Sequence, residues 1–299
     1  MSQLQLDTSA NRRIGIAFFS LATLMFASLD GVAKWLVLSL PVVQVVWVRF
    51  FLHTVITGAV LVPQLGLCLF KTKHPKWQIM RGLMLATMTG TNFWALQYLQ
   101  LAQTGSVQFS VPILIALISV IGFGEKLDTG RWIAIFIGFV GVLVIIRPGT
   151  EAFHPAILLC VIGAILYASF NILTRRLARD DHPGATQWTS AFVASVVLAP
   201  FALWQWQMPH GWLQWSLLIL TGCLGGLGHW AIANAHRYAS AAVLGPFLYQ
   251  QIIYMTLLGW LIFNQVPDHF MVVGTLIVVA AGLYLLWREF QQSQTLKNI

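Results

Sequence analysis

Long apolar runs follow one another along almost the whole chain, and they constrain its fold more than any other feature. Hydrophobic residues make up 58% of the 299 residues and charged residues only 9%, whereas soluble domains carry about a quarter charged residues. A run of roughly 20 apolar residues is long enough to cross the hydrocarbon core as a helix. We therefore predict an all-α integral membrane protein with ten transmembrane spans, at residues 14–38, 41–63, 77–99, 103–123, 131–146, 154–178, 185–203, 212–238, 241–263 and 269–287.

Basic residues are concentrated in alternate loops of this layout. Arg12 and Arg13 precede the first span, a cluster at 71–81 follows the second, and another at 175–179 follows the sixth. The intervening loops carry almost none, with Arg147 as the exception. Because cytoplasmic loops are enriched in Lys and Arg, we predict that both termini are cytoplasmic and that the protein lies in the inner (plasma) membrane. The net charge of +8 then reports orientation and does not indicate nucleic-acid binding.

The two halves of the chain repeat each other. FASLDGVAKWL at 26–36 returns as YASFNILTRRL at 167–177, and FGEKLD at 123–128 returns as FNQVPD at 263–268. We predict one five-span repeat at 14–148, a second at 154–287 and a cytoplasmic tail at 288–299. An odd number of spans per repeat inserts the second repeat upside down, which is typical of secondary transporters with a substrate site near the membrane midplane.

These motifs carry a family resemblance. The ten-span layout, SLDGVAKWL, RGLMLATMTGTNFWALQYLQLAQTG, FGEKL and WIAIFIGFVGVLVIIRPG in the first half, and YASFNILTRRLAR and GWLIFNQVPD in the second, resemble the drug/metabolite transporter superfamily, EamA type. The resemblance implies ten helices in two inverted five-helix repeats around a central cavity, working by alternating access. It implies a cavity lined mainly by helices 1, 3, 4, 6, 8 and 9, and it specifies no substrate.

Asp30 and Lys34 lie one helical turn apart inside the first span. Ionisable residues within a membrane span are rare and mark functional sites by default. Arg49 of the second span is predicted at a similar depth, so an ion pair of Asp30 with Arg49 or with Lys34 is expected. The residues do not decide between a structural ion pair and a substrate or coupling site that changes partners during transport.

Further polar and aromatic groups are predicted within the later spans. Polar side chains at these depths are expected to face the protein interior and not the lipid. His229 fits either a buried core histidine or a ligand and proton-relay group, and Arg175 fits either a coupling residue or one that reaches the headgroups. With Asp30 and Lys34, the predicted substrate-binding residues are Asn92, Trp94, Asn171, His229, Tyr249, Gln250 and Tyr254.

The sequence predicts a secondary transporter for a small polar organic metabolite, such as an amino acid or a related zwitterion or anion, with or without a flat ring. An importer of a vitamin-like or nucleoside-like compound is the alternative, and an intramembrane enzyme is the alternative of another class. The sequence has no HExxH, GxSxG or P-loop motif and no metal-ligand spacing of cysteines, so we predict no enzyme activity, cofactor or metal. The expected partners are a small-molecule substrate and the bilayer. Coupling to protons or to a counter-substrate, and a monomeric or homodimeric state, stay open.

Overall fold

The computed structural model describes residues 9–123 and 128–297, which form twelve α-helices and two short 3-10 segments. Most of the FGEKL motif lies at 124–127, outside the described residues. The helices are α1 (Ser9–Val37), α2 (Val42–Leu65), α3 (Pro75–Leu96), α4 (Leu101–Gln108), α5 (Val111–Phe123), α6 (Thr129–Ile146), α7 (Ile157–Leu177), α8 (Pro183–Trp204), α9 (Gly211–Tyr238), α10 (Ala241–Leu244), α11 (Gln250–Phe263) and α12 (His269–Lys297), and the 3-10 segments are Gly66–Phe70 and Gly245–Tyr249.

Within the described residues, nine segments are long and apolar enough to cross a membrane, and α3 adds a tenth helix. The predicted fourth span is broken into α4 and α5, and the ninth into α10, a 3-10 segment and α11. Each break lies next to a proline, Pro112 or Pro246, which removes a backbone donor and disfavours a continuous helix. At the first break the Ser110 side chain and N–H both bond the Val107 carbonyl. In the part of the chain that the structure describes, nine candidate spans and a tenth helix in an all-helical fold confirm the predicted class of an all-α membrane protein.

The packing of the helices has the pseudo-two-fold symmetry of an inverted repeat. Each span of the first repeat has a counterpart five spans later in the second. With this pairing, the α1–α9 contact corresponds to α3–α7, the α2–α9 contact to α3–α8, and the α1–α11 contact to α5–α7. The α2–α8, α4–α11 and α6–α12 contacts map onto themselves. The central helices of one repeat therefore pack mainly against those of the other, so residues from both repeats meet in the interior.

Two reciprocal ion pairs join the ends of α6 and α12. Asp128 at the start of α6 pairs with Arg288 of α12 at 2.8 Å, and Asp268 at the start of α12 pairs with Arg147 at the end of α6. The Arg288 hydrogen bond lowers the pKa of Asp128. Burial raises the pKa of Asp268, but the first-turn hydrogen bond and the Arg147 contact outweigh it and the net pKa is lowered. Arg147 departs from the charge pattern of the loops because it serves this pair.

Glycines let α6 and α12 approach closely. A Cβ built on Gly274 of α12 would lie 2.8 Å from the Gly141 carbonyl oxygen, and one on Gly138 would meet Ile113 and Ala281. Gly282 faces the Tyr249 side chain. These glycines, whose positions in the sequence fit internal packing or a dimer contact, are used for internal packing.

We expect Gly274→Ala to lower the melting temperature of the purified protein, because the new methyl group meets a backbone carbonyl that cannot move aside. The matched control is Gly90→Ala in α3, where a Cβ has nothing within 4 Å. There, the helix preference of Ala over Gly, about 1 kcal/mol, should leave stability unchanged or raised. An equal response of both variants in a tryptophan-fluorescence melt would contradict this close approach.

Candidate functional site

Asp30 lies where the three first helices meet. The Asn92 amide of α3 donates to the Asp30 carboxylate at 3.0 Å. Arg49 of α2 acts on Asp30 through its charge and donates from Nη1 to the Thr89 hydroxyl at 3.4 Å. Arg49 is 4% exposed and Asn92 is 8% exposed. Of the two cations that the sequence proposes for Asp30, the structure favours Arg49.

Two histidines extend this group towards the second repeat. His53, one turn after Arg49 on the same face of α2, stacks on His229 of α9 with ring centroids 5.3 Å apart. Phe26 of α1 contacts the His229 ring edge-on at 5.1 Å, and the Gln187 side-chain nitrogen of α8 lies 3.3 Å from His53 Nε2. We call Asp30, Arg49, His53, Asn92 and His229 the central polar group.

The glycine-rich sequence of α9 makes room for this group. A Cβ on Gly225 would lie 3.4 Å from Arg49 Nε, and a Cβ on Gly226 would lie 3.8 Å from the His53 ring. Both distances are ordinary van der Waals contacts, whereas a Cβ on Gly222 would overlap a side-chain carbon of α2. The GCLGGLGHW sequence therefore serves close packing of α9 against α2, as expected for small residues at membrane helix contacts.

Three side-chain atoms of the central polar group have no hydrogen-bond partner among the described residues. They are Arg49 Nε, His53 Nδ1 and Asn92 Oδ1. All three residues are more than nine-tenths buried, and buried polar groups are nearly always hydrogen-bonded. The described residues thus leave one donor (Arg49 Nε), one acceptor (Asn92 Oδ1) and one imidazole nitrogen (His53 Nδ1) without a hydrogen-bond partner.

Lys34 does not pair with Asp30. Its ammonium, on a side chain that is 4% exposed, donates to the carbonyls of Leu96 and Leu99, each at 2.7 Å. These carbonyls lie at the C-terminal end of α3, where a cation is favoured by the helix dipole and by the unpaired carbonyls. Lys34 therefore joins α1 to α3, and its contact with substrate stays a prediction.

The other residue pairs suggested by the repeat are not brought together. Cys160 of α7 lies close enough to Asp30 to sense its charge, and Asn171 is eleven residues further along α7, about 16 Å at 1.5 Å per residue. Asn171 donates to the Tyr167 carbonyl at 2.7 Å. Arg175 lies exposed in the last turn of α7. Asn171 and Asp30 thus have different hydrogen-bond partners within the described residues, and a site shared by the two stays a prediction.

The remaining predicted site residues also lie apart from the central polar group. Trp94 is 52% exposed on a face of α3 that points away from Asn92. Tyr249 is buried in a second core with its ring 5.2 Å from Phe109. Tyr254 donates to Gln250 at 3.3 Å within α11 and packs against the main core. Within the described residues none of them forms a hydrogen bond with Asp30, and their place in the substrate path stays a prediction.

Polar contacts between the repeats close the bundle at one end, and we call them the Asp181 latch. Asp181, which follows α7 and is 7% exposed, accepts from the Thr72 hydroxyl, from the Lys73 N–H at 2.9 Å and from Gln78 Nε2 at 2.8 Å. Gln78 also donates to Thr186 at 2.9 Å. The loop between α2 and α3 is thereby fixed to the start of α8.

A related set of contacts closes the opposite end, and we call it the Gln44 latch. Gln44 is fully buried and exchanges two hydrogen bonds with the Gln207 backbone, at 2.8 and 2.9 Å. Gln214 donates to the Ser39 hydroxyl at 3.1 Å. Gln214 and Gln78 are each the fourth residue of their helices, α9 and α3. The two latches are therefore pseudo-symmetric, and only the Asp181 latch contains a carboxylate.

We expect Asp181→Asn to lower stability by about 2 kcal/mol, because it loses hydrogen bonds to a buried charge. Burial raises the pKa of Asp181, but the bonds from Thr72, Lys73 and Gln78 and the nearby His74 outweigh it, so the net pKa is lowered. A lowered pKa gives stability that is present at neutral pH and is lost as pH falls through the lowered value.

The variant should therefore differ from wild type in melting temperature at pH 7, and the difference should shrink below about pH 4. The matched control is Asp180→Asn, since the Asp180 side chain is 46% exposed and pairs with His74 at 3.0 Å. A surface pair contributes about 0–1 kcal/mol. Equal effects of the two changes at pH 7 would contradict the latch.

A buried arginine stands beside the Asp181 latch. Arg81 of α3 donates to Thr174 at 2.8 Å, to the Thr186 carbonyl at 3.0 Å and to Ser190, and its guanidinium lies 4.0 Å from the Phe170 ring centroid. Its Nε and Nη1 atoms join α3 to α7 and α8. From the sequence, Arg81 was predicted only as one of the basic residues of a cytoplasmic loop. Neither His53 nor the latch residues were predicted, although His53 follows Arg49 by one turn.

Two clefts are open at the periphery of the described residues. One of about 210 Å³ is lined by Thr256, Leu257, Trp260, Val266 and Pro267. The other, of about 260 Å³, lies among apolar residues of α4, α5, α6 and α7. Neither includes the central polar group, and their apolar walls suit acyl chains. We therefore assign the candidate site from the buried charges and unsatisfied hydrogen-bonding atoms.

Two inverted sets of membrane-spanning helices that enclose buried charges define a multi-pass membrane transporter. The chain belongs to the EamA-like transporter family, whose model matches residues 13–147 and 154–288. The family assignment confirms the predicted resemblance, and the chain is a transporter and not an enzyme.

Curated relatives cover nearly the full chain. An S-adenosylmethionine uptake transporter from Rickettsia felis is 28% identical over 92% of this chain and 93% of its own. A riboflavin transporter from Vibrio cholerae is 29% identical over 95% of this chain and 97% of its own. A solved crystal structure, 18% identical, superimposes with a TM-score of 0.60 over 92% of this chain and 95% of its own, and it shows the fold alone. These relatives carry small molecules, which agrees with the predicted substrate class at that coarse level.

Proposed function

We propose that the chain is a secondary transporter that takes up a small ring-bearing metabolite, with S-adenosylmethionine as the first candidate. The observation that carries the proposal is the central polar group, in which the half-buried Asp30 and the buried Arg49 and Asn92 of the first repeat are joined to the second repeat by the His53–His229 stack. Such groups are costly in a membrane unless they serve a solute or ion path. Named S-adenosylmethionine uptake transporters of similar length support the choice of substrate.

In the proposed cycle the two latches open in turn while the central polar group holds the solute. Both are formed in the described structure, so the group is closed from both ends by Asp181 and Gln44 and their partners. Opening one latch while the other holds gives access from one side only. We further propose that the Asp181 end is cytoplasmic, that both termini lie on that side, and that the membrane is the bacterial inner membrane. Labelling of tagged termini in sealed cells tests this orientation.

Uptake of radiolabelled S-adenosylmethionine into proteoliposomes tests the proposed function. Wild-type protein should accumulate the label or exchange it for internal substrate, while liposomes without protein should not. The label should be recovered chemically unchanged. Failure to accumulate or exchange either S-adenosylmethionine or riboflavin would count against the proposed substrate class.

Riboflavin is a second candidate, favoured by the Vibrio cholerae relative. The flat isoalloxazine ring would find aromatic partners in Phe26 and in the stacked His53 and His229 rings. Riboflavin has neither an ammonium nor a carboxylate, so it would leave the Asp30–Arg49 charges paired with each other. Parallel uptake assays with both compounds decide between the candidates.

A further inference from the structure

The unsatisfied atoms of the central polar group have complementary chemistry. Asn92 uses its amide nitrogen on Asp30, so its free Oδ1 is an acceptor next to a carboxylate. The Gln187 side-chain nitrogen can only donate, so at 3.3 Å it makes His53 Nε2 the acceptor. His53 Nδ1 then carries the proton, because a neutral imidazole has one donor and one acceptor. Arg49 Nε is a donor in every case.

The atoms therefore divide into two poles. One pole holds two free donors, Arg49 Nε and His53 Nδ1, which lie one turn apart on α2. The other pole holds the Asp30 carboxylate and Asn92 Oδ1, which lie side by side between α1 and α3. A carboxylate fits the first pole and an ammonium fits the second, because each would supply the missing hydrogen bonds.

We propose that this group binds the α-amino-acid end of the substrate, with its carboxylate on Arg49 and His53 and its ammonium on Asp30 and Asn92. The proposal rests on the proposed transport function and assigns a specificity role to His53, which the sequence analysis did not name. In the described structure the charges of Asp30 and Arg49 balance each other.

Charge balance favours this class of ligand. A group with one ammonium and one carboxylate replaces the internal pairing by two external pairings and leaves the net buried charge unchanged. A ligand end with only one of these charges would leave Asp30 or Arg49 without a counter-charge, which is costly inside a protein. Because binding replaces the Asp30–Arg49 pairing by pairings to the substrate, it also weakens the packing between α1 and α2.

The test compares ligands that differ at this end only. S-adenosylmethionine, its decarboxylated form and its deaminated 2-oxo form are each titrated against purified full-length protein in a thermal-shift and competition assay. Loss of either charge should weaken binding at least 30-fold, which corresponds to the cost of about 2 kcal/mol or more for breaking a buried charge contact. Equal binding of the three compounds would overturn the proposal.

Variants show whether Arg49 and His53 contact the carboxylate or only support the fold. Arg49→Lys keeps the charge but removes Nε, and His53→Phe keeps the ring but removes Nδ1. Both should bind the parent and the decarboxylated compound alike, since the discriminating contact is gone. Arg81→Lys and His236→Phe, at an arginine bonded to α7 and α8 and an exposed histidine, should retain the discrimination. Retained discrimination in Arg49→Lys and His53→Phe would overturn the assignment.

Failure of this proposal is distinguishable from failure of the transport function. Uptake of riboflavin without binding of S-adenosylmethionine would leave the proposed transport function intact. It would overturn the proposal that the central polar group binds an α-amino-acid end. Binding of neither compound, and no shift with free methionine, would overturn both. If water alone fills the unsatisfied positions, the variants should change stability with no change in relative affinity for the three compounds.

Discussion

Replacing Asp30 by Asn is expected to reduce transport at least 30-fold while the protein remains folded and inserted. Asn is the same size and keeps an acceptor for the Asn92 amide, but it removes the charge that acts on Arg49. Truncating one partner of a buried charge pair costs about 2–5 kcal/mol in binding, which gives the expected factor. Initial uptake rates in proteoliposomes, normalised to inserted protein, measure it.

The double variant Asp30→Asn with Arg49→Gln is the informative control. It removes both charges, so the stability lost through an uncompensated Arg49 should return, as replacing a whole buried pair is often neutral. Transport should stay low, because the substrate contacts are not restored. Wild-type uptake in either variant would show that Asp30 and Arg49 form a purely structural pair.

Replacing Lys34 by Met should destabilise the fold more than any other change considered, by about 3–6 kcal/mol. Met fills a similar volume, but the carbonyls of Leu96 and Leu99 lose two hydrogen bonds from a charged donor, each of which contributes about 1.5–3 kcal/mol. Denaturant or thermal unfolding in detergent measures the loss. Substrate affinity of the remaining folded protein should be unchanged.

Gln97→Leu is the matched control for Lys34, because it lies at the same junction. Gln97 donates to the Val37 carbonyl at 2.7 Å, so α1 and α3 cap each other reciprocally. A neutral hydrogen bond contributes about 1 kcal/mol, and the Gln97 variant should lose no more than that. If Lys34→Met instead abolished transport at unchanged stability, Lys34 would belong to the substrate site.

The span layout could be predicted because membrane insertion depends on local composition. Apolar runs of sufficient length and the internal repeat specify ten helices in two halves, and the prolines at 112 and 246 mark the two breaks that the structure contains. Asp30 and Asn92 could be identified as polar groups within the spans for the same reason. These inferences need no knowledge of which helices are neighbours.

Partner choice could not be predicted, because it depends on the depth and rotation of helices distant in sequence. The i, i+4 spacing suggested that Lys34 pairs with Asp30, but the end of α3 offers it two carbonyls instead. The repeat suggested that Asn171 joins Asp30 in one site, whereas the Asn171 amide donates to the Tyr167 carbonyl one turn back, and the shared site stays a prediction. Tyr249 is the last residue of a 3-10 segment and is buried against the cluster that contains Phe109. His53 could have been predicted, because it shares a helical face with Arg49.

The carboxylate of the Asp181 latch has no counterpart in the Gln44 latch, so the two ends of the pseudo-symmetric transporter differ. Were the ends equivalent, an unloaded carrier would rest open to either compartment equally often. Because Gln78 bonds a carboxylate while its counterpart Gln214 bonds a hydroxyl, the resting molecule should favour exposure at the Gln44 end, and an acid pulse at the other face should shift that preference. This bias determines which side of the membrane the unloaded transporter faces, whereas the concentration gradients alone determine the direction of net transport.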